Sequence, residues 1–234
     1  MRRSTFALAV VTGLLTDAAL AGDMAHAAGP PDGFKLKEDY NVVAPDKATT
    51  IEEYAIENKD GDMVWQFWAR RSDSFVMLPP EQADYPADFR FTKDSTWLVR
   101  LQKTGSGEGT MYLYHLTPKG FVTATKKPIG DLAWDYFNRR PESKKVPKPD
   151  LHIYAGLLRG IADNYKSLAP DWPDSRYIVI GLSGDLDPTP KHHQLLVVRG
   201  WMCRYDLTTG KFDVPASFAK DNAEALAKEG QAIR

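Results

Sequence analysis

Between residues 36 and 125 the chain is a succession of short apolar and aromatic runs divided by turn residues, with no helical period among them. The runs are Leu36–Val43, Thr50–Glu57, Met63–Arg70, Ser74–Leu78, Phe89–Phe91, Thr96–Lys103, Thr110–Leu116 and Phe121–Thr125. Runs of this length, bounded by Gly, Pro, Asn and Asp, read as β-strands. Asn58-Lys59-Asp60-Gly61-Asp62 is a tight hairpin signal. Pro79-Pro80 and Pro86 break the chain, and Gly105-Ser106-Gly107-Glu108-Gly109 closes a further hairpin. Strands that follow one another without intervening helices form antiparallel rather than parallel sheets.

The middle of the chain changes character. Ile129–Phe137 reads as a short helix, and residues 138–149 form a basic loop broken by proline. Leu151, Tyr154, Leu157, Leu158, Ile161 and Tyr165 then follow helical spacing, with Asp150 placed to cap them, which predicts a helix over 151–165. Strand patterns resume at Arg176–Leu182, Gln194–Val198, Gly200–Leu207 and Phe212–Val214. The Ala-, Lys- and Glu-rich tail from Ala216 to Ile233 reads as a surface helix with sparse anchors at Phe218, Leu226 and Ile233. The expected fold is mainly β: antiparallel sheets, β-sandwich-like or α+β, with a helical insertion near 130–168 and a C-terminal helix.

Met1-Arg2-Arg3 followed by the apolar run Phe6 to Leu15 has the layout of a secretory signal peptide. Cleavage sites of the A-x-A kind end at Ala21 and at Ala27. The expected organisation is therefore a signal peptide over 1–27, a flexible Pro/Gly leader over 28–35 and a single β-rich domain over 36–234. Asp17 and Asp23 interrupt the apolar stretch short of the ~20 residues that a membrane-spanning helix needs. No later segment reaches that length, so no transmembrane segment is expected in the mature chain. The short basic start suits bacterial export, to the periplasm or the extracellular medium.

Of the 234 residues, 30 are Lys or Arg and 31 are Asp or Glu, a net charge of −1. That balance argues against nucleic acid as a partner. The one cysteine, Cys203, excludes an internal disulfide framework and a Cys-rich metal site. Flanked by Trp201, Met202, Arg204 and Tyr205, it reads as a small buried hydrophobe on a strand.

Phe89–Leu116 carries Phe91-Thr92-Lys93-Asp94-Ser95, an apolar strand, and then Met111-Tyr112-Leu113-Tyr114-His115-Leu116. This resembles a blade of a TolB-like or WD40-like β-propeller, with Lys93 and Ser95 where the blade pattern has Pro and Gly. Trp201–Phe212, with Tyr205-Asp206-Leu207 and Thr209-Gly210, resembles the end of a second blade. The resemblance implies a small or incomplete β-propeller as the alternative fold.

The hairpin 96–116 offers the sharpest test of chemistry. If Lys103 faces Thr110, then Trp97, Val99 and Leu101 pair with Leu116, Tyr114 and Tyr112 on one apolar face. The other face then carries Arg100, Gln102 and His115, and a one-residue slip exchanges the faces. Gln66 is the polar exception in the otherwise apolar Met63–Arg70 run. Arg100, Gln102, His115 and Gln66 are thus the candidate binding residues, since polar groups covered by a second layer need partners.

Catalytic motifs fail on spacing. Lys103 to Thr110 has glycines but places Lys first, unlike a P-loop. Gly181-Leu182-Ser183-Gly184-Asp185 has Asp where a nucleophile elbow needs Gly. His192-His193 with Asp185 and Asp187, and the Asn58–Gly61 loop, lack a complete ligand set, so no metal and no cofactor is expected. Asp131, Asp135 and Asp163 are candidates for paired-carboxylate glycoside hydrolysis, without a spacing that certifies a pair. The function expected is a non-catalytic binding or interaction module of the bacterial cell envelope, taking a protein or an envelope ligand. The alternative is a secreted hydrolase acting on a saccharide.

Overall fold

The computed structural model describes residues 29–158, 176–187 and 195–226. The signal-peptide segment, residues 159–165 of the expected helix, Asp163, the His192-His193 pair and the end of the tail lie outside these residues.

The fold is mainly β, in two sheets. The first contains β1 (Lys35–Leu36), β2 (Val42–Val43), β3 (Thr50–Glu57), β4 (Met63–Arg71) and β5 (Ser74–Met77). It is antiparallel in the order β1-β3-β4-β5, with β2 also pairing on β3. The run expected as one strand over 36–43 is split by a 3-10 turn at Glu38–Tyr40. The turn brings the Tyr40 ring edge-on to Trp65, 5.6 Å between centroids. The β3–β4 turn is held by Asn58, whose side-chain oxygen accepts the N–H groups of Asp60 and Asp62 at 2.9 Å.

The second sheet is built from β6 (Ala87–Phe91), β7 (Trp97–Gly105), β8 (Glu108–Thr117), β9 (Gly120–Thr123), β10 (Leu151–Leu158), β11 (Tyr177–Leu186), β12 (Leu195–Asp206) and β13 (Lys211–Asp213). Its order is β13-β12-β11-β10-β8-β7-β6, with β9 beside β8. Two antiparallel meanders, β6–β9 and β10–β13, meet at a seam where β10 runs parallel to β8 through the pair Tyr154–Gly109. This is the one departure, among the described residues, from the expected antiparallel pairing. It arises because α1 (Ile129–Asn138) carries the chain across between β9 and β10. Ile129, Ala133 and Phe137 form the buried stripe of α1, spaced to recur on one helix face.

Both faces of the β7–β8 hairpin are covered. One packs on the first sheet through Leu98 and Tyr114, with Phe67, Phe89 and Phe121. The other packs on α1 and β10–β12 through Val99, Met111 and Leu113, with Leu182, Trp201 and Cys203. The register differs by one residue from the expected one. At the tip Gly105 faces Glu108, across a two-residue turn with Gly107 at φ +75°. A bulge between Lys103 and Gly105 then shifts the ladder, so that Lys103 faces Gly109, Arg100 faces Tyr112 and Trp97 faces His115. One extra residue exchanges the partner strand's faces, as a slip of one always does.

The helix expected over 151–165 is corrected at 151–158, which is strand β10. Leu157 pairs with Ile180 and Ala155 with Leu182, and these alternate side chains enter the core. Asp150 caps no helix there; its Oδ1 accepts the Asp187 N–H at 2.8 Å. The two runs expected at 194–198 and 200–207 are one strand, bent at Gly200, whose φ is +71°. Cys203 is fully buried, and burial pushes its thiol pKa far up, which leaves it a packing residue.

The C-terminal helix is present and shorter than expected: a 3-10 turn at Ala216–Phe218 leads into α2 (Ala219–Glu224). Phe218 is buried and Leu226 packs on the core, as expected of anchors, and a polar anchor joins them. The buried Asn222 side chain accepts the Met202 N–H at 2.7 Å and donates to the Met202 carbonyl at 2.8 Å, extending the β12 edge beyond β13. Asn222→Ala leaves both backbone groups unpaired, and a loss of about 1–3 kcal/mol in a urea melt is expected. Asn222→Asp keeps the acceptor half and falls between the two.

Candidate functional site

Arg100 and Gln102 lie on one face of β7, toward the first sheet, and both are buried. The Gln102 side-chain oxygen accepts from Arg100 Nε at 2.8 Å and from Nη2. Its amide donates to the carbonyls of Tyr85 (3.1 Å) and Lys103 (2.8 Å). The guanidinium carbon sits 3.9 Å from the Phe67 ring centroid and 5.1 Å from that of Tyr112. Such contacts stabilise a cation removed from water. Desolvation nonetheless holds the Arg100 pKa below the usual guanidinium value. Its Nη1 atom has no hydrogen-bond partner among the described residues.

Across the sheet interface lies a residue that the sequence reading did not single out. Glu53, on β3 opposite Phe67, is fully buried. Its Oε2 accepts the Ala87 N–H at 3.4 Å, and Oε1 has no partner among the described residues. Burial raises its pKa to about 8, while the positive charge of Arg100 works in the opposite direction.

The other two candidates are elsewhere. The shifted register turns His115 to the opposite face of the hairpin, where its ring packs on Trp97 at 4.4 Å between centroids. Gln66 points away from Phe67, as alternate residues of a strand must. It is buried, and its side-chain oxygen accepts the Trp68 indole N–H at 3.2 Å. The structure therefore brings together Arg100 and Gln102, and places His115 and Gln66 apart from them.

Gln102 also borders an open cleft of about 600 Å³ formed where the β7–β8 tip meets the start of β10 and the end of β11. The cleft is lined by Asp88, Lys103, Glu108, His152, Tyr154 and Asp185, with Leu101, Ala155 and Leu196 supplying apolar surface. His152 is held in the left-handed region at φ +49°, an uncommon place for a residue with a side chain. A register shift between Leu151 and Tyr154 accompanies it. The His152 ring packs on Gly107, where a β-carbon would come within 2.9 Å of it. Its Nδ1 lies 2.9 Å from Asp185 Oδ2, a contact that orients the imidazole within the cleft. A backbone held in a sparsely populated conformation beside a cleft is a feature that clusters at binding and active sites.

The sequence offered no local signal for this arrangement. Its parts come from 105–110, 152–154 and 183–185, and the helical spacing over 151–165 masks the strand that carries His152. Ser183, read as part of a failed nucleophile elbow, is on β11, and its Oγ accepts the Gly200 N–H at 2.9 Å. Asp131 accepts from the Thr110 hydroxyl at 2.8 Å, and Asp135 lies exposed, 3.4 Å from Lys127. These acids serve separate local contacts. No group of three or more His, Cys, Asp or Glu side chains is arranged to hold a metal ion among the described residues. No helix among them is long and apolar enough to cross a membrane.

No protein-family model matches the chain, and no curated protein matches it. Among solved structures, it is similar to a mannose phosphorylase from Leishmania mexicana, in complex with phosphate ion. The match has 10% identity and a TM-score of 0.22, and covers 77% of this chain and 67% of that one. A likeness at this level defines neither fold nor activity.

Proposed function

We propose that the protein is an exported, non-catalytic binding module of the bacterial cell envelope, and that the cleft around His152 and Asp185 is where it takes its ligand. The observation that carries this reading is the left-handed His152, braced by Asp185 and bedded on Gly107 in an open cleft of about 600 Å³. A polar pair set within partly apolar walls is the usual make-up of a ligand site. The non-catalytic half rests on how the acids are used. Asp131 and Asp135 make separate contacts, Glu53, the carboxyl with the raised pKa, is sealed between the sheets, and of the acids that do line the cleft, Asp88, Glu108 and Asp185, the last is engaged by His152. Export rests on the signal-peptide layout of the first 27 residues.

Two measurements test the reading. Alkaline phosphatase fused to the C-terminus is expected to be active in intact cells, and inactive when residues 1–27 are deleted. The purified protein is expected to co-sediment with the insoluble envelope fraction of a Gram-negative bacterium, and His152→Ala to reduce that retention about tenfold. A urea melt of the variant shows whether the fold is kept. Retention unchanged in His152→Ala moves the site away from the cleft. Release of soluble sugar from the envelope fraction by the purified protein ends the non-catalytic half and leaves the saccharide hydrolase.

A further inference from the structure

Side chains on a strand ordinarily stand off the sheet. Tyr154 lies down on it. A β-carbon at Gly109, its partner on β8, would be 3.0 Å from Cδ2 and Cε2 of the Tyr154 ring. A β-carbon at Gly156, two residues further along β10, would be 2.6 Å from Cε1 on the opposite edge. Both edges are therefore down at the height of the β-carbon layer, and the ring lies along the sheet rather than across it. Two glycines, one on each strand of the seam, make the bed, and any larger residue at either place lifts an edge. The ring is half-buried and lines the cleft.

Resting on the reading of the cleft as the ligand seat, we infer that Tyr154 is a stacking platform for the apolar face of a pyranose ring and that the ligand is a neutral envelope saccharide. A flat aromatic ring presents a broad apolar surface with a negative face, which suits the slightly positive C–H groups on one side of a sugar. The surrounding groups suit the hydroxyls at the sugar's edge: Asp88, Glu108 and Asp185 accept hydrogen bonds and Lys103 donates them. Among the described lining residues, three carboxylates against one lysine and one histidine disfavour anions, which argues against nucleotides and phosphorylated sugars.

The test is NMR titration of the purified protein with a panel of tetrasaccharides (cellotetraose, maltotetraose and chitotetraose), with adenosine and tryptophan as aromatic controls. At least one saccharide is expected to bind, with the protons of one sugar face shifted upfield by the ring. Tyr154→Phe keeps the affinity within about threefold, and Tyr154→Ala loses tenfold or more. Gly156→Ala carries the discriminating result. The three atoms nearest its new methyl group all belong to the far end of the Tyr154 side chain, so the fold is expected to be retained while the ring is lifted, the upfield shift disappears and the affinity falls as in Tyr154→Ala. Full saccharide binding by Gly156→Ala overturns the platform. Binding of adenosine or tryptophan, but no sugar, with that upfield shift makes it a seat for aromatic ligands and overturns the saccharide assignment. If no tetrasaccharide binds or competes with a retained envelope fraction, the saccharide assignment fails and the binding module stands. If neither sugars nor the envelope fraction are held, both readings fail.

Discussion

Arg100→Ala is expected to cost about 3–5 kcal/mol of stability, measured as a fall in the urea midpoint at constant m-value. The effect has three sources that act together. Truncation empties the volume of a fully buried side chain between the sheets. It removes both guanidinium donors from the Gln102 side-chain oxygen, leaving a buried acceptor without them. It also strips the cation from the Phe67 face at 3.9 Å. Arg100→Met separates these sources, because it keeps most of the volume and loses the hydrogen bonds; about 1–3 kcal/mol is expected for it. Adding Gln102→Leu to Arg100→Met should recover none of that loss, since it also takes the amide donors away from the Tyr85 and Lys103 carbonyls. A change within about 0.5 kcal/mol for Arg100→Ala, the range of ordinary surface substitutions, would refute this account of the inter-sheet layer.

The same two residues show which parts of the fold were legible beforehand. Arg100 and Gln102 are two apart on one strand, so they share a face whatever the pairing of that strand. His115 is on the partner strand, and its face depends on a bulge between Lys103 and Gly105 that no residue there announces. The expected turn of six residues between Lys103 and Thr110 is instead a two-residue turn closed by Gly105 and Glu108, and beyond the bulge Lys103 faces Gly109. The strand over Leu151–Leu158 was illegible for another reason. Leu151, Tyr154, Leu157 and Leu158 satisfy a helical period, while Ala155 and Leu157 satisfy an alternating one. Pairing with β11 settles the choice through Leu182 and Ile180, which lie more than twenty residues away. The Tyr154 bed is hidden for the same reason, because Gly109 and Gly156 become neighbours only when β8 and β10 meet. The strands Thr50–Glu57 and Met63–Arg71, in contrast, are stated locally, by β-type residues on either side of the Asn58–Gly61 turn.

Stability is expected to fall as the pH rises from about 5 to about 8.5, and Glu53 is the cause. Its pKa is pushed up from 4.5 to about 8, first by burial, with Asp88 adding to the rise and the Ala87 N–H and Arg100 opposing it. The folded state therefore binds this proton more tightly than the unfolded chain does. Between the two pKa values the unfolded state carries fewer protons, so unfolding becomes easier with increasing pH. The stabilisation is complete below the unfolded pKa of 4.5 and is lost as the pH passes through the folded value, a change of a few kcal/mol at most. Asp206 does not obscure this window. Its pKa is lowered to about 2 by Arg176, so its contribution is present above the ordinary aspartate range and is lost only as the pH falls toward 2. Glu53→Gln keeps the shape of the protonated carboxyl and cannot ionise. Its urea midpoint should match that of the unaltered protein near pH 5 and exceed it increasingly toward pH 8.5. Parallel pH profiles for the two proteins would remove Glu53 as the titrating group, and would mean that its carboxylate is already ionised beside Arg100 at neutral pH.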